Sequence, residues 1–485
     1  MKKATVHLFF CFFILTASAQ NEEYQKRFDA FSKEAKQGYQ SFVDEKNREY
    51  IEFLQEAWKK FRMEEPMERP VRPEPPQPIV YEKPPLPRIP AQIVVDDVVI
   101  LPASTRQPES VRQLEPVKQP KPVNPPRQPA ECIMVDYYGL KINVENKLEG
   151  MLHLNSLSEK EVANGWETLC KTNYQEMISE CKNIQEYYLM NDWGYAVFMG
   201  KVASVLCGGE NNEKVLMHVF LLSQSGYKVK MVRSNNRLGL IAATDCMLYN
   251  VSFLEQDGEK YYSVLSEQMS GEIYTYEKNF GGARKSVSLR LTKSPVMQSL
   301  PEDRTHQAKG YPVTVHSKVN GGLIDFYREY PRCDFSVYAC AAMSNEFQKT
   351  VLPVLEEAVA GKTEMEAADM LLNFVQTAFE YKTDNEQFGY EKPFFIDETF
   401  YYPYSDCEDR AILYQTLVKN LLKLDVVLLS YPNHLATAVH FHTPVEGDFV
   451  LVGTEKYVVC DPTYINASIG CTMPQFRGTK VVVVR

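Results

Sequence analysis

The stretch Tyr404-Ser405-Asp406-Cys407-Glu408-Asp409-Arg410-Ala411-Ile412-Leu413 sets a cysteine where a loop of aromatics, proline and acids turns into an apolar helical pattern. Ala411, Leu413, Leu417, Leu421 and Leu424 follow at roughly helical spacing, which predicts a buried helix with Cys407 at or near its first turn. A first turn carries unpaired backbone N–H groups and the positive end of the helix dipole. Both favour the thiolate, which is the nucleophilic form of cysteine. The same amides, that of Cys407 first, suit the oxyanion that forms when a thiolate attacks a carbonyl. Gln387 or Tyr404 is the candidate second donor. By itself Cys407 also reads as a packing residue, since free cysteines are among the most buried side chains and acids at a helix start complement its dipole.

What favours chemistry is the order of residues downstream. Pro432-Asn433-His434 comes 27 residues after Cys407 and opens the apolar run Leu435-Ala436-Thr437-Ala438-Val439. A further 27 residues on, Tyr457-Val458-Val459-Cys460 reads as a strand ending in Asp461-Pro462-Thr463. Cys407, His434 and Asp461, on one helix and two neighbouring antiparallel strands, supply a nucleophile, a base and a group that orients the base. His434 is preferred to His440 and His442 because it stands just after the turn at the mouth of its strand. The three histidines together invite a metal reading, but no acidic or cysteine ligand stands near at zinc-site spacing, so neither a metal nor a cofactor is expected.

This order resembles the transglutaminase-like superfamily of papain-like cysteine enzymes. The nearest likeness is to its bacterial peptidase-like branch, whose blocks read roughly F-x-Y-x-x-D, D-C-E-D-x-A and P-x-H-x-A-x-A-V. Here they stand as Phe379 to Asp384, Asp406 to Ala411 and Pro432 to Val439, followed by Asp461-Pro462-Thr463, so the resemblance covers about the last third of the chain. It implies a papain/transglutaminase-like core in which Cys407, His434 and Asp461 form a catalytic triad that acts on a peptide or protein substrate.

At 485 residues the chain has room for two or three domains, and its net charge of −10 argues against nucleic-acid binding. Met1 to Ala19 reads as a secretory signal, with Lys2-Lys3, an apolar centre from Leu8 to Leu15, and Ala17-Ser18-Ala19 as the cleavage site. The mature protein is therefore expected to be periplasmic or secreted, and no later run is apolar enough to span a membrane. Ten cysteines follow the leader without C-x-x-C spacing, and their pairing is not legible.

Glu22 to Met63 carries an aromatic stripe that predicts a helical arm over 20–64, packed on the body or on a second copy. Residues 65–130 hold 18 of the 29 prolines and read as a linker or belt, within which Ile93 to Ile100 has strand character. Arm and belt are the features that would engage an envelope protein partner. Residues 131–270 read as an α+β domain in which a helix from Asn212, a strand from Tyr227 and a strand pair around Glu259 repeat the order of the C-terminal third. Read as a degenerate duplicate, this copy would carry Asn212, Asn236 and Leu265 in place of Cys407, His434 and Asp461, and no chemistry. Residues 271–342 read as a small β-rich connecting unit and 343–485 as the catalytic domain.

The expectation is an α+β protein with an extracytoplasmic thiol hydrolase domain. Its competitor is a non-catalytic cell-envelope binding or scaffolding protein that uses the same fold to recognise a partner.

Overall fold

The computed structural model describes residues 27, 30–31, 33–35, 37–56, 58–68, 77–82, 89–100 and 132–485. The leader read over 1–19 and the stretch 101–130 lie outside them. The fold is mixed α+β, built on two six-stranded sheets with helices packed against them. No helix among the described residues is long and apolar enough to cross a membrane.

In the C-terminal sheet the strands run in the order Phe449–Val452, Glu455–Cys460, His434–His440, Asp425–Tyr431, Val481–Val484 and Val95–Val99. All neighbours are antiparallel except the last pair, which is parallel. In the N-terminal sheet the order is Phe253–Gln256, Glu259–Tyr262, Arg237–Ala243, Val229–Ser234, Glu272–Thr275 and Lys59–Arg62. The two orders correspond strand for strand, although the outermost pair is antiparallel in the N-terminal sheet and parallel in the C-terminal one, and each hairpin pair comes after a helix, Asn212–Gln224 or Cys407–Leu417.

The registers agree as well. Ser234 pairs with Arg237 across one two-residue turn and Tyr431 with His434 across the other. Ala242 then pairs with Tyr262, and Val439 with Val458, at equal distances from the turns. The same helix-and-hairpins unit is thus built twice, and this register corrects one correspondence. Asn236 lies in its turn, so Arg237 is the residue that stands at the place of His434. Asn212 and Cys407 both open their helices, and Leu265 keeps the place of Asp461 when counted from Glu259 and Glu455.

Two further expectations are revised. Among the described residues the arm's helix takes in 27, 30–31, 33–35 and 37–54 and stops short of Met63. Lys59–Arg62 pairs instead with Glu272–Thr275, because an open sheet edge offers the backbone a ladder that outweighs a continued aromatic stripe. For the same reason Glu272–Thr275 belongs to the first sheet, so the connecting unit begins only after Thr275 and includes the hairpin Pro301–Gln307 and Thr314–Asn320. The arm packs on the body: Asn47 bonds Tyr174 and Trp166, and Tyr50 meets Trp166 edge-on at 4.8 Å.

The belt docks along the C-terminal sheet. Tyr81 N and Ile79 O bond Ile465, and Ile93 N and Ala91 O bond Phe449, before Val95–Val99 joins the edge. The sheet separates two cores. On one face Leu435, Val439, Val426 and Leu428 pack with the Cys407 helix, and on the other Ala436, Ala438, Val427 and Leu429 pack with Ile93 and Phe476. This is the period-two alternation of strands buried on both faces.

Candidate functional site

Cys407 is the first residue of an eleven-residue helix whose every side chain is buried. Asp406 precedes it, and the Asp406 amide donates to Asp409 Oδ2 at 3.1 Å, which fastens the helix start. Asp409 Oδ1 also accepts from the Phe394 amide at 2.9 Å and so holds the preceding loop to that turn.

One turn into the helix, Arg410 is buried too. Its guanidinium donates to Phe379 O at 2.8 Å, Gln376 O at 3.4 Å and Ser405 Oγ at 3.3 Å, and it lies over the Tyr381 ring. The Gln376 side-chain amide in turn donates to Asp461 O and Ala467 O, both at 3.0 Å. A chain of hydrogen bonds therefore ties the first turn of the Cys407 helix to the end of the strand that carries Asp461.

His434 Nε2 donates to Asp461 Oδ2 at 2.9 Å, and Asp461 Oδ1 accepts from the Thr463 amide at 3.0 Å. The imidazole stacks on Phe476 at 5.0 Å with its plane tilted by only 10°, and Tyr431 flanks it. A carboxylate on Nε2 fixes the neutral tautomer in which Nδ1 carries a lone pair. Among the described residues the buried Nδ1 has no hydrogen-bond partner. His434 and Asp461, two of the three residues singled out in the sequence, are thus brought together. Cys407 Sγ is 3.3 Å from Glu408 Oε2. Phe476 and Tyr431 belong to the core on the belt side of the sheet and Cys407 to the core on the helix side. Cys407, His434 and Asp461 are 1%, 0% and 3% exposed, so the site is closed.

In the first copy, Asn212 Oδ1 accepts from the Leu238 amide at 2.9 Å, which shows how the side chain opening such a helix reaches the start of the neighbouring strand. An open cleft of about 560 Å³ lies there, lined by Lys214 and Leu265 among others. Arg237, at the His434 place, is exposed and paired with Glu267 at 2.6 Å. His440 and His442 have their own carboxylates, Glu455 and Glu364, away from His434.

Residue-by-residue reading saw the acids beside Cys407 but missed that Asp384 and Glu391 join them. Carboxylate oxygens of Asp384, Glu391 and Glu408 lie within 4.8 Å of one another, as do those of Asp406 and Glu408 with the Cys407 sulfur. Such oxygens are of the kind that hold a divalent cation. As they stand, burial and the charges of Asp409 and Glu408 push Asp384 well above the carboxylate range. Burial, then Glu408 and Asp384, does the same to Asp406, and burial with Glu408 pushes Asp409 up to about 8.

A raised carboxyl pKa means that the folded chain binds more protons than the unfolded one, so stability falls as pH rises through the window between the two values. Buried His218 opposes this at lower pH, because its pKa falls to about 3 and folding then gains stability up to the ordinary histidine value. Between about pH 6.5, where an unfolded histidine has titrated, and pH 8 the carboxyls set the slope, opposed only at the upper end by Lys230, whose pKa falls to about 8. The melting temperature is therefore expected to drop across that interval, and a flat or rising profile would contradict protonated carboxyls at the helix start.

Against family models, curated proteins and solved structures alike, the chain finds no match.

Proposed function

We propose that the chain is an extracytoplasmic thiol enzyme of the transglutaminase-like, papain-like kind that hydrolyses a peptide or amide bond through Cys407, His434 and Asp461. The observation that carries this reading is the buried His434–Asp461 pair, whose remaining ring nitrogen is unbonded on the sheet against which the Cys407 helix packs.

In the working site the thiol turns from Glu408 towards His434 Nδ1, a tightening often left to the substrate-bound state. Nδ1 takes the thiol proton, and the sulfur attacks the carbonyl carbon. The oxyanion is received by the Cys407 amide at the helix start. The imidazolium then gives its proton to the leaving amine, leaving an acyl-enzyme, and His434 next activates water to release the acid. An amine in place of water would give a crosslink by the same route. Asp461 holds the ring and its tautomer throughout.

Digestion of a peptide library with the wild type and Cys407→Ala tests the proposal: cleavage products should appear with the first and vanish with the second. The closure of the site and the loss of all three residues in the first copy favour a second reading, a binding or scaffolding protein of the cell envelope. That reading is the one left if both proteins leave every peptide intact.

A further inference from the structure

Cys246 comes after the strand Arg237–Ala243 of the first sheet, and Cys333 lies in the segment leading from the helix Gly321–Arg328 into the second repeat. The two backbones run side by side: Leu248 bridges Cys333 in antiparallel fashion, and the Tyr249 amide donates to Arg332 O at 2.9 Å. Cys246 stands two residues before Leu248, in the bend that leads into this bridge. The two thiols lie close enough to influence one another, and both are free in this structure. Cys333 is buried whereas Cys246 is half-buried. Two cysteines held together by paired backbone, with one open to a reagent and the other behind it, have the arrangement that thiol exchange needs.

We infer that Cys246 and Cys333 form a disulfide that pins the segment between the two repeats onto the first sheet. The oxidant is a donor disulfide of the glutathione or protein-oxidase class. The Cys246 thiolate attacks one donor sulfur, the donor S–S bond breaks, and one donor thiolate leaves. The Cys333 thiolate then attacks Cys246 Sγ in the mixed disulfide, closing the Cys246–Cys333 bond and expelling the second donor thiolate. Two electrons pass from the chain to the donor, and the two cysteine protons go to solvent. The enclosed loop contains the outer hairpin and the Glu272–Thr275 strand of the first sheet as well as the 301–320 hairpin. A crosslink closing so long a loop stabilises chiefly by restricting the unfolded chain.

The full-length chain, purified folded and reduced, is incubated with oxidised glutathione, quenched with iodoacetamide, digested and mapped by mass spectrometry. Most of Cys246 and Cys333 should be recovered in one linked peptide pair, and oxidation should raise the melting temperature. Cys246→Ser should fold under reducing conditions, lose the rise and leave Cys333 unlinked. Recovery of both cysteines alkylated, glutathionylated or joined to other partners would overturn the assignment, as would an unlinked gain that persists in Cys246→Ser. The experiment is made on purified protein, so its outcome does not depend on export or on catalysis by Cys407.

Discussion

Replacing Cys407 by alanine is expected to reduce peptide cleavage to background, and replacing His434 by alanine to lower it by about 10²–10⁴-fold. On the proposed mechanism, no acyl-enzyme forms without sulfur, whereas without the imidazole the thiol has lost its proton acceptor and the leaving amine its proton donor. Asp461→Asn should fall between. Its amide presents N–H as well as C=O to Nε2, and when N–H is presented the ring proton moves to Nδ1, the nitrogen that must accept from the thiol. The carboxylate accepts from both His434 and the Thr463 amide, so the substitution also loosens the turn that holds it. Steady-state cleavage of any peptide found in the library screen gives all three values. Equal rates in the wild type and His434→Ala would remove the imidazole from the chemistry.

The second large effect is on stability. Arg410→Ala is expected to cost about 3–5 kcal/mol in denaturant unfolding, the range found when one member of a buried charged network is deleted. Arg410 is almost fully buried, and its guanidinium caps the carbonyls of Phe379 and Gln376 and bonds Ser405. Alanine would orphan those groups. It would also remove the positive charge beside Asp406 and Asp409, which already sit in surroundings hostile to ionisation. Arg410→Lys should recover only part of the loss, because an ammonium cannot present the planar fork that reaches three partners. A cost below about 1 kcal/mol, the size of an ordinary surface change, would show that the arginine is not what ties helix to strand.

Much of the C-terminal unit was legible because its signals are local. Acids and a helical period announced the helix at Cys407, Pro432-Asn433 announced the turn, and an acid before Pro462 closed the strand. The strand character of Ile93 to Ile100 also stood out against the prolines, and Val95–Val99 is a strand. What escaped depends on distant partners. Lys59–Arg62 continues an aromatic stripe and becomes a strand only because Glu272–Thr275 offers an edge. Within the unit read as β-rich over 271–342, Ser286 to Leu291 form no extended strand; Val287 makes a single bridge to Thr244. The place of His434 in the first copy was off by one residue, since Asn235 and Asn236 suit a turn equally well and only the Ser234–Arg237 pairing decides. Asp384 and Glu391 come close to Glu408 through the fold alone, and acids beside Cys407 read more simply as partners of the helix dipole.

Titration of the Cys407 thiolate by its ultraviolet absorbance addresses the triad most directly, because it needs neither a substrate nor a reagent able to enter the closed site. Burial pushes the thiols of Cys170, Cys181, Cys207, Cys340 and Cys460 upward, and contact with Cys333 followed by burial does the same to Cys246, which thins the background, and subtracting Cys407→Ser removes the rest. If imidazole and thiol share a proton, thiolate at Cys407 should appear at lower pH in the wild type than in His434→Ala. Superimposable titrations of the two proteins would mean that Cys407 and His434 do not act together.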